Sequence, residues 1–396
     1  MQSIGIFVAT VLVAALLLWP RLSRAPLWRA SVTPLASIIG SGFLVLGPIL
    51  ALSYGAWTPV AMAALCAASY AIGAAIRYNI MSLERVAHGP KSARVETLAS
   101  WVLAFAYIVS VAYYLNLLGA FAVSLTPWDS ALAGRYVTSA VYALILIVGW
   151  TKGFRALERL EQISVGLKLS IIGGLLFGLG WFFAGTAQNG ALVLAPASTT
   201  GWAGIGLLFG LLVTVQGFET SRYLGQTYDA QTRVKSMRVA QWVSTTIYMI
   251  YVVFIAYVFH SNDIETSETA IIDMMALVAP LLPLMLVVAA LAAQFSAAVA
   301  DTSGAGGLIS ELTRGRVPVK IGYGILVAFG IAITWGADVF QIISWASKAF
   351  AAYYALQAAI AAGLARRDGK GRGTVLAFGA IAALAAAAAL LGSAVE

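Results

Sequence analysis

Charge is scarce in this sequence. Only 10% of its 396 residues are Asp, Glu, Lys or Arg, against about 25% in soluble domains, which leaves too little polar side chain to cover a water-facing surface. Cysteine occurs once, as Cys66 within an apolar run, so an internal disulfide framework is excluded and the redox compartment goes unmarked. Histidine occurs twice, as His88 and His260, in expected loops on opposite sides of the chain. A membrane-embedded enzyme would need His, Cys or paired carboxylates clustered at one depth, and neither a metal-ligand spacing nor a nucleophile motif is present. No stretch is polar enough and long enough to form a separate soluble domain.

Hydrophobic residues make up 61% of the chain and its mean hydropathy is +0.89. The apolar runs are long, continuous and rich in Leu, Ala, Ile and Gly. A bilayer asks about 20 such residues per helical span and requires the backbone to satisfy itself. Transmembrane barrels use short strands of alternating polarity instead. The expected fold is therefore an all-α polytopic membrane protein. About twelve spans fall near residues 3–19, 33–55, 57–80, 100–126, 136–153, 157–185, 202–226, 236–259, 275–312, 319–337, 339–364 and 373–393. The first lacks a basic n-region and its positive charges come after it, which favours a retained helix over a signal peptide.

The net charge of +8 would point to nucleic acid in a soluble protein; here it comes from loops, and no nucleic-acid partner is expected. Arg21, Arg24 and Arg29 follow the first span. Arg77, Arg85, Lys91 and Arg94 follow the third, and Lys152, Arg155 and Arg159 the fifth. Arg233, Lys235 and Arg238 follow the seventh, Arg314, Arg316 and Lys320 the ninth, and Arg366, Arg367, Lys370 and Arg372 the eleventh. With twelve spans these loops share one side, while the other offers Arg135 and an acidic stretch at Asp263, Glu265 and Glu268. That bias puts the basic side in the cytoplasm and both termini outside it.

Two spans carry glycine and polar groups where lipid-facing helices need none. One is Gly40-Ser41-Gly42-Phe43, midway along the second span; the other is Gln216-Gly217-Phe218-Glu219, deep in the seventh. Glycine eases unwinding, and unwound backbone offers amides and carbonyls to a ligand. For isolated glycines small-residue packing is the leading explanation, and the Gly174/Gly178 pair suits such packing within one chain or between two. Glu219 tips the balance at the second break, because an ionisable group at that depth is costly unless used. From Gly42 to Lys168 is 126 residues and from Gly217 to Lys348 is 131. Two similar stretches thus begin with a broken helix and end with a lysine-bearing one, the pattern of an inverted repeat. The expected organisation is an extra N-terminal helix and linker over 1–32, repeats over 33–185 and 202–364, and a C-terminal helix over 373–396.

Ile39-Gly40-Ser41-Gly42-Phe43 resembles the "IGSGIF" signature of the amino acid–polyamine–organocation (APC) superfamily. Gly217-Phe218-Glu219, with Tyr228-Asp229 and the basic run to Arg238, is similar to that family's sixth core helix and its loop. Leu167-Lys168-Leu169-Ser170-Ile171-Ile172 resembles its fifth-helix "IKLLII", and Gly304-Ala305-Gly306 through Pro318 the end of its eighth. The extra first span is more like sodium–solute symporters of the same fold, and the acidic residue usual after Thr313-Arg314-Gly315 is missing.

The resemblance implies a leucine-transporter-type fold of five plus five helices, with the first and sixth core helices broken. It also implies secondary active transport of amino acids by alternating access, proton-coupled or by exchange. Amides at Gly40, Ser41 and Gly42 would hold a substrate carboxylate, and Gln216, Gly217 and Phe218 would face its ammonium, with Asn116 on the wall. Lys168, Glu219 and Asp301 would serve coupling and gating, Lys168 standing where relatives hold a sodium ion and Asp301 partnering it. A static Lys168–Asp301 pair is the alternative, as are back-bonding by Ser41 and a helix-pinning bond by Glu219. A rival set of oxygens, Asp301, Thr302 and Ser303, would suit sodium, and a carrier of organic cations or polyamines would set Glu219 and Asp301 against the substrate. No cofactor is expected. The partners are a small-molecule substrate, protons and the lipid bilayer, in a bacterial inner (plasma) membrane.

Overall fold

Proline and glycine set most of the boundaries in the computed structural model, which describes residues 2–40, 42–83, 90–151 and 155–395. The helices are α1 (Gln2–Leu18), α2 (Pro20–Ser23), α3 (Pro26–Ile38), α4 (Gly42–Tyr54), α5 (Thr58–Leu83), α6 (Pro90–Val123), α7 (Ala131–Thr151), α8 (Arg155–Gln188), α9 (Gly201–Gly210), α10 (Ala230–Ala256), α11 (Ala270–Val278), α12 (Leu282–Leu312), α13 (Val319–Gly336), α14 (Val339–Arg367) and α15 (Arg372–Leu391). Pro20 and Pro26 open α2 and α3, where a missing N–H costs nothing. Asp229 and Asp338 cap α10 and α14 by accepting the Thr232 and Gln341 amides at 2.7 and 2.9 Å.

Among the described residues the chain crosses twelve times. Eight helical stretches are long and apolar enough to span a bilayer unaided. The first of these, Gly42–Ser82, joins the α4 half of the broken pair α3/α4 to α5, and the remaining crossings are α1, the broken segment that starts at α9, and the more polar α14. The expected span over 275–312 is two helices instead. Extended backbone at Ala279, imposed by Pro280, separates α11 from α12.

Packing relates the two halves. α6 packs on α7 and α14, as α12 packs on α13 and α8; α10 packs on α3 and α4, as α5 packs on the 212–226 segment. Exchanging the first five core helices for the second five turns each contact into its counterpart, which is the five-plus-five repeat in three dimensions. The helices outside it follow the same rule, with α1 on α8 and α15 on α14. Gly173, Gly174 and Gly178 form the seat for α1. A Cβ on each would meet Val13, Thr10 or Ile6 at 2.6, 2.1 and 3.0 Å, so these glycines pack within the chain.

Cross-links near the helix termini define the two ends. At one, Lys320 and Trp150 exchange bonds between side chain and carbonyl, and Tyr78 donates to Asp368 at 2.6 Å. At the other, the Ser198 and Thr199 amides donate to the Ser53 carbonyl, and Val193 N to the Tyr257 carbonyl. The first is the basic end, where Arg314, Arg316, Arg366 and Arg367 lie; the second carries Asp129, Glu265, Glu268, Asp273 and Asp338.

Candidate functional site

Two helices stop in mid-membrane and their stumps meet. α3 ends at Ile38, Ile39 and Gly40 form a turn, and the chain resumes at Gly42 as α4; Ser41 lies outside the described residues. Past α9 the chain tightens into a 3-10 turn over Leu212–Val215 and extends at Gln216. It then passes through Gly217 at φ +113° and coils again over Phe218–Gln226. Only glycine takes that φ without strain.

The glycine of each break rests on the other broken helix. A Cβ on Gly42 would fall 2.6 Å from the Thr214 Cα, and one on Gly217 would fall 2.5 Å from Ser37 Oγ and 2.6 Å from the Ser37 carbonyl carbon. The crossing is therefore backbone against backbone.

Unwound backbone in a membrane must find partners, and they come from α5, α8, α10 and α14. Ser69 Oγ donates to the Val215 carbonyl at 3.0 Å. Ser347 Oγ donates to the Gly210 carbonyl at 2.6 Å and accepts the Val213 amide at 2.9 Å. Tyr248 reaches both breaks, its hydroxyl 2.9 Å from the Ile38 carbonyl and 2.6 Å from that of Thr214. One O–H carries one proton, so it donates to one carbonyl at a time. Lys168 on α8 donates to the Ala36 carbonyl in the last turns of α3. None of Ser69, Tyr248 and Ser347 stands out in the sequence. The lysine spacing singled out Lys348, which is half-buried, and the break is held by its neighbour Ser347.

Glu219 is buried and acts first on its own chain. Its Oε2 accepts the Gly217 amide at 3.0 Å and the Tyr354 hydroxyl at 2.9 Å. Tyr354 also lies 3.2 Å from Gln216 Oε1, and Gln216 Nε2 donates to Tyr114 at 3.3 Å. Aromatic rings surround this group: Phe218 stacks on Tyr354 at 5.3 Å, with Tyr353 and Phe350 beyond and Tyr107 edge-on to Phe350 at 6.1 Å. Asp301, on α12, accepts from Ser110 Oγ of α6 at 2.5 Å. Thr302 bonds back to the Ala298 carbonyl at 2.6 Å, and Ser303 is half-buried beside them.

Gly40, Gly42, Gln216, Gly217, Phe218 and Glu219 thus gather at the crossing, with Lys168 at its edge. Asn116 turns elsewhere. Its Nδ2 donates to the Ala112 carbonyl and to Thr334 Oγ1 of α13, both at 2.8 Å. It lines a cavity of about 400 Å³ at the acidic end, walled by Asp129, Glu265, Glu268, Asp273, Asp338 and Arg135 and by no residue of the broken helices. Burial raises the carboxyl of Glu268 above the usual range, and the like charges of Asp129 and Asp338 raise it further.

On the basic side the second broken helix is latched. Arg222 forms an ion pair with Glu96 of α6 and donates to Gln357 Oε1 of α14. Asn79 of α5 donates to the same Gln357 oxygen at 2.9 Å, and Tyr223 meets Tyr353 at 3.2 Å.

Comparison with known proteins agrees with this architecture. The manganese transporter of Eremococcus coleocola, in a crystal structure of a single-residue mutant, matches over 94% of this chain and 87% of its own at a TM-score of 0.56. At 12% identity that is a likeness of fold. A protein of Aquifex aeolicus (strain VF5), described as an uncharacterized protein, is 40% identical over 370 residues, which are 90% of this chain and 88% of that one. The family model for APC superfamily transporters matches residues 20–392, beginning just past α1. Two mid-membrane breaks, the paired halves and that match converge: the chain is an integral membrane protein of the APC superfamily of transporters, and not an enzyme.

Proposed function

We propose that this transporter carries amino acids by alternating access, with the substrate seated where the two broken helices cross. The observation that carries the reading is the reciprocal contact of Gly42 with Thr214 and of Gly217 with Ser37. Small shifts of either helix change that contact directly, and helix ends of opposite polarity converge on it. The amides that open α4 suit a carboxylate, and the carbonyls around Gln216, with the Glu219 carboxylate, suit an ammonium group.

Coupling falls to Lys168. Protonated, it ties α8 to the α3 stump through the Ala36 carbonyl; neutral, it has lost the charge that strengthens that bond. Proton-driven uptake or exchange follows. Sodium held by Asp301, Thr302 and Ser303 ranks lower, since a cation there and a charged Lys168 would repel. The repeats run over 33–185 and 202–364, the basic end faces the cytoplasm of a bacterial inner membrane, and both termini lie outside.

A second reading is favoured by the ring cluster around Glu219 and by the acidic outer cavity, which together suit an organic cation or polyamine. Uptake of radiolabelled amino acids into proteoliposomes, with and without an inward proton gradient, separates the two. Saturable gradient-driven uptake of an amino acid supports the first. Uptake of a diamine or tetraalkylammonium probe alone replaces it with the second. Lys168→Ala protein that keeps full proton-driven uptake would refute the coupling role.

A further inference from the structure

Arg77, on α5, is a buried cation that the crossing does not use. It is 5% exposed and lies six residues, about 9 Å of helix rise, from the basic end of its helix. Its Nη1 donates to Gln241 Oε1 of α10, its Nη2 donates to the Tyr70 carbonyl at 3.2 Å, and its guanidinium sits 4.5 Å from the Tyr70 ring centroid. Every one of these partners is neutral. Among the described residues no carboxylate pairs with it, and the charge within reach is a second cation, Arg238 of α10. Two guanidiniums repelling one another at a membrane surface call for an anion. Only two of the five N–H donors of Arg77 are used by those acceptors.

The surroundings specify the kind of anion. Arg238 is exposed, and one turn further along the same face of α10 stands Trp242, 61% exposed, its ring 5.7 Å from that of Tyr70. A half-buried Tyr and an exposed Trp beside paired arginines match the boundary between headgroups and acyl chains, where aromatic rings concentrate. Guanidinium forks match phosphate oxygens. A soluble phosphate would leave the exposed indole face unused; a phospholipid covers it with its glycerol and first methylenes.

We propose that the α5–α10 face at the basic end binds an anionic phospholipid, its phosphate held by Arg77 and Arg238 and its glycerol region packed on Tyr70 and Trp242. The site communicates with the crossing through three hydrogen bonds. Arg77 bonds Gln241, whose Nε2 donates to the Ser69 carbonyl at 2.8 Å, and Ser69 Oγ donates to the Val215 carbonyl of the unwound segment at 3.0 Å.

The test is lipid retention by the purified, delipidated full-length protein, read by native mass spectrometry and independent of any transported substrate. Phosphatidylglycerol and phosphatidylcholine of matched chains are offered in turn. Phosphatidylglycerol is retained in preference, Arg238→Gln lowers its retention about five-fold, and Trp242→Ala also lowers it. Arg316→Gln, at another basic loop, leaves it unchanged. Equal retention of the two lipids overturns the proposal, as does an Arg238→Gln protein that binds phosphatidylglycerol like the parent. Displacement by millimolar inorganic phosphate would overturn the lipid assignment in favour of a soluble anion. Arg238 is exposed, so its variant folds even where Arg77→Gln does not.

Discussion

Gly217 lies against Ser37 so closely that no side chain fits between the two broken helices. At φ +113°, with the Ser37 carbonyl carbon 2.6 Å from where a Cβ would stand, alanine at this position meets backbone strain and a backbone clash together. Gly217→Ala is expected to destabilise the protein by about 1–3 kcal/mol and to abolish transport. Thermal unfolding in detergent and an uptake assay check this. Gly166→Ala on α8, where a Cβ meets nothing within 4 Å, is the matched control and stays near the parent.

The Tyr248 hydroxyl reaches a backbone carbonyl of each break. Tyr248→Phe keeps the ring beside Phe43, at 5.5 Å between centroids, and deletes the hydroxyl that serves the Ile38 and Thr214 carbonyls. The expected loss is about 1 kcal/mol of stability, with a larger effect on transport rate than on substrate affinity, because both stumps lose a shared anchor. Unfolding midpoints and initial uptake rates over a substrate series measure the two effects.

The Arg222–Glu96 latch joins the second broken helix to α6. Arg222→Glu leaves two carboxylates facing each other and is expected to lower the unfolding midpoint; adding Glu96→Arg restores part of it. The restoration is partial because Gln357, which accepts from Arg222 as well as from Asn79, loses the first of those donors in the swapped protein. A double-mutant cycle is expected to report a coupling of about 1 kcal/mol for this partly exposed pair. Zero coupling would mean the latch adds nothing to stability.

Glu268 sets a pH dependence at the acidic end. Its carboxyl is raised above the ordinary value of 4.5 by burial and by Asp129 and Asp338, so the folded protein holds that proton more tightly than the unfolded chain does. The stabilisation is fully present below pH 4.5 and is lost as pH rises through the higher folded-state value. Glu268→Gln removes the loss. The variant is expected to melt at a higher temperature than the parent near neutral pH and to converge with it as the pH falls toward the ordinary carboxyl range. Melting curves across that range decide the matter, and identical profiles for the two proteins would count against it.

Much of the fold was legible in the chain because a bilayer leaves few options. Continuous apolar runs had to be helices, and basic residues gathered in alternate loops showed which ends go together. The break residues were also visible, since Gly40, Gly42, Gly217 and Glu219 contradict their apolar surroundings. The division of 275–312 into α11 and α12 was signalled by Pro280 and overridden by its hydropathy. Asn116 looked like a wall of the central site and instead bonds to Thr334, because its direction around α6 depends on which helices pack there.

By itself, then, the sequence determined the number of crossings, the helical class, the two breaks and the pairing of halves, since each follows from solvent, backbone hydrogen bonding or spacing along the chain. Only the tertiary structure decided which side chains serve the broken backbone. Neighbouring positions on a helix point about 100° apart, so the spacing that ends the second stretch at Lys348 says nothing of Ser347 beside it, the group that bonds the break. Tyr248 and Arg77 lie in ordinary-looking spans, and their roles come from facing helices far away in sequence, which no local pattern encodes.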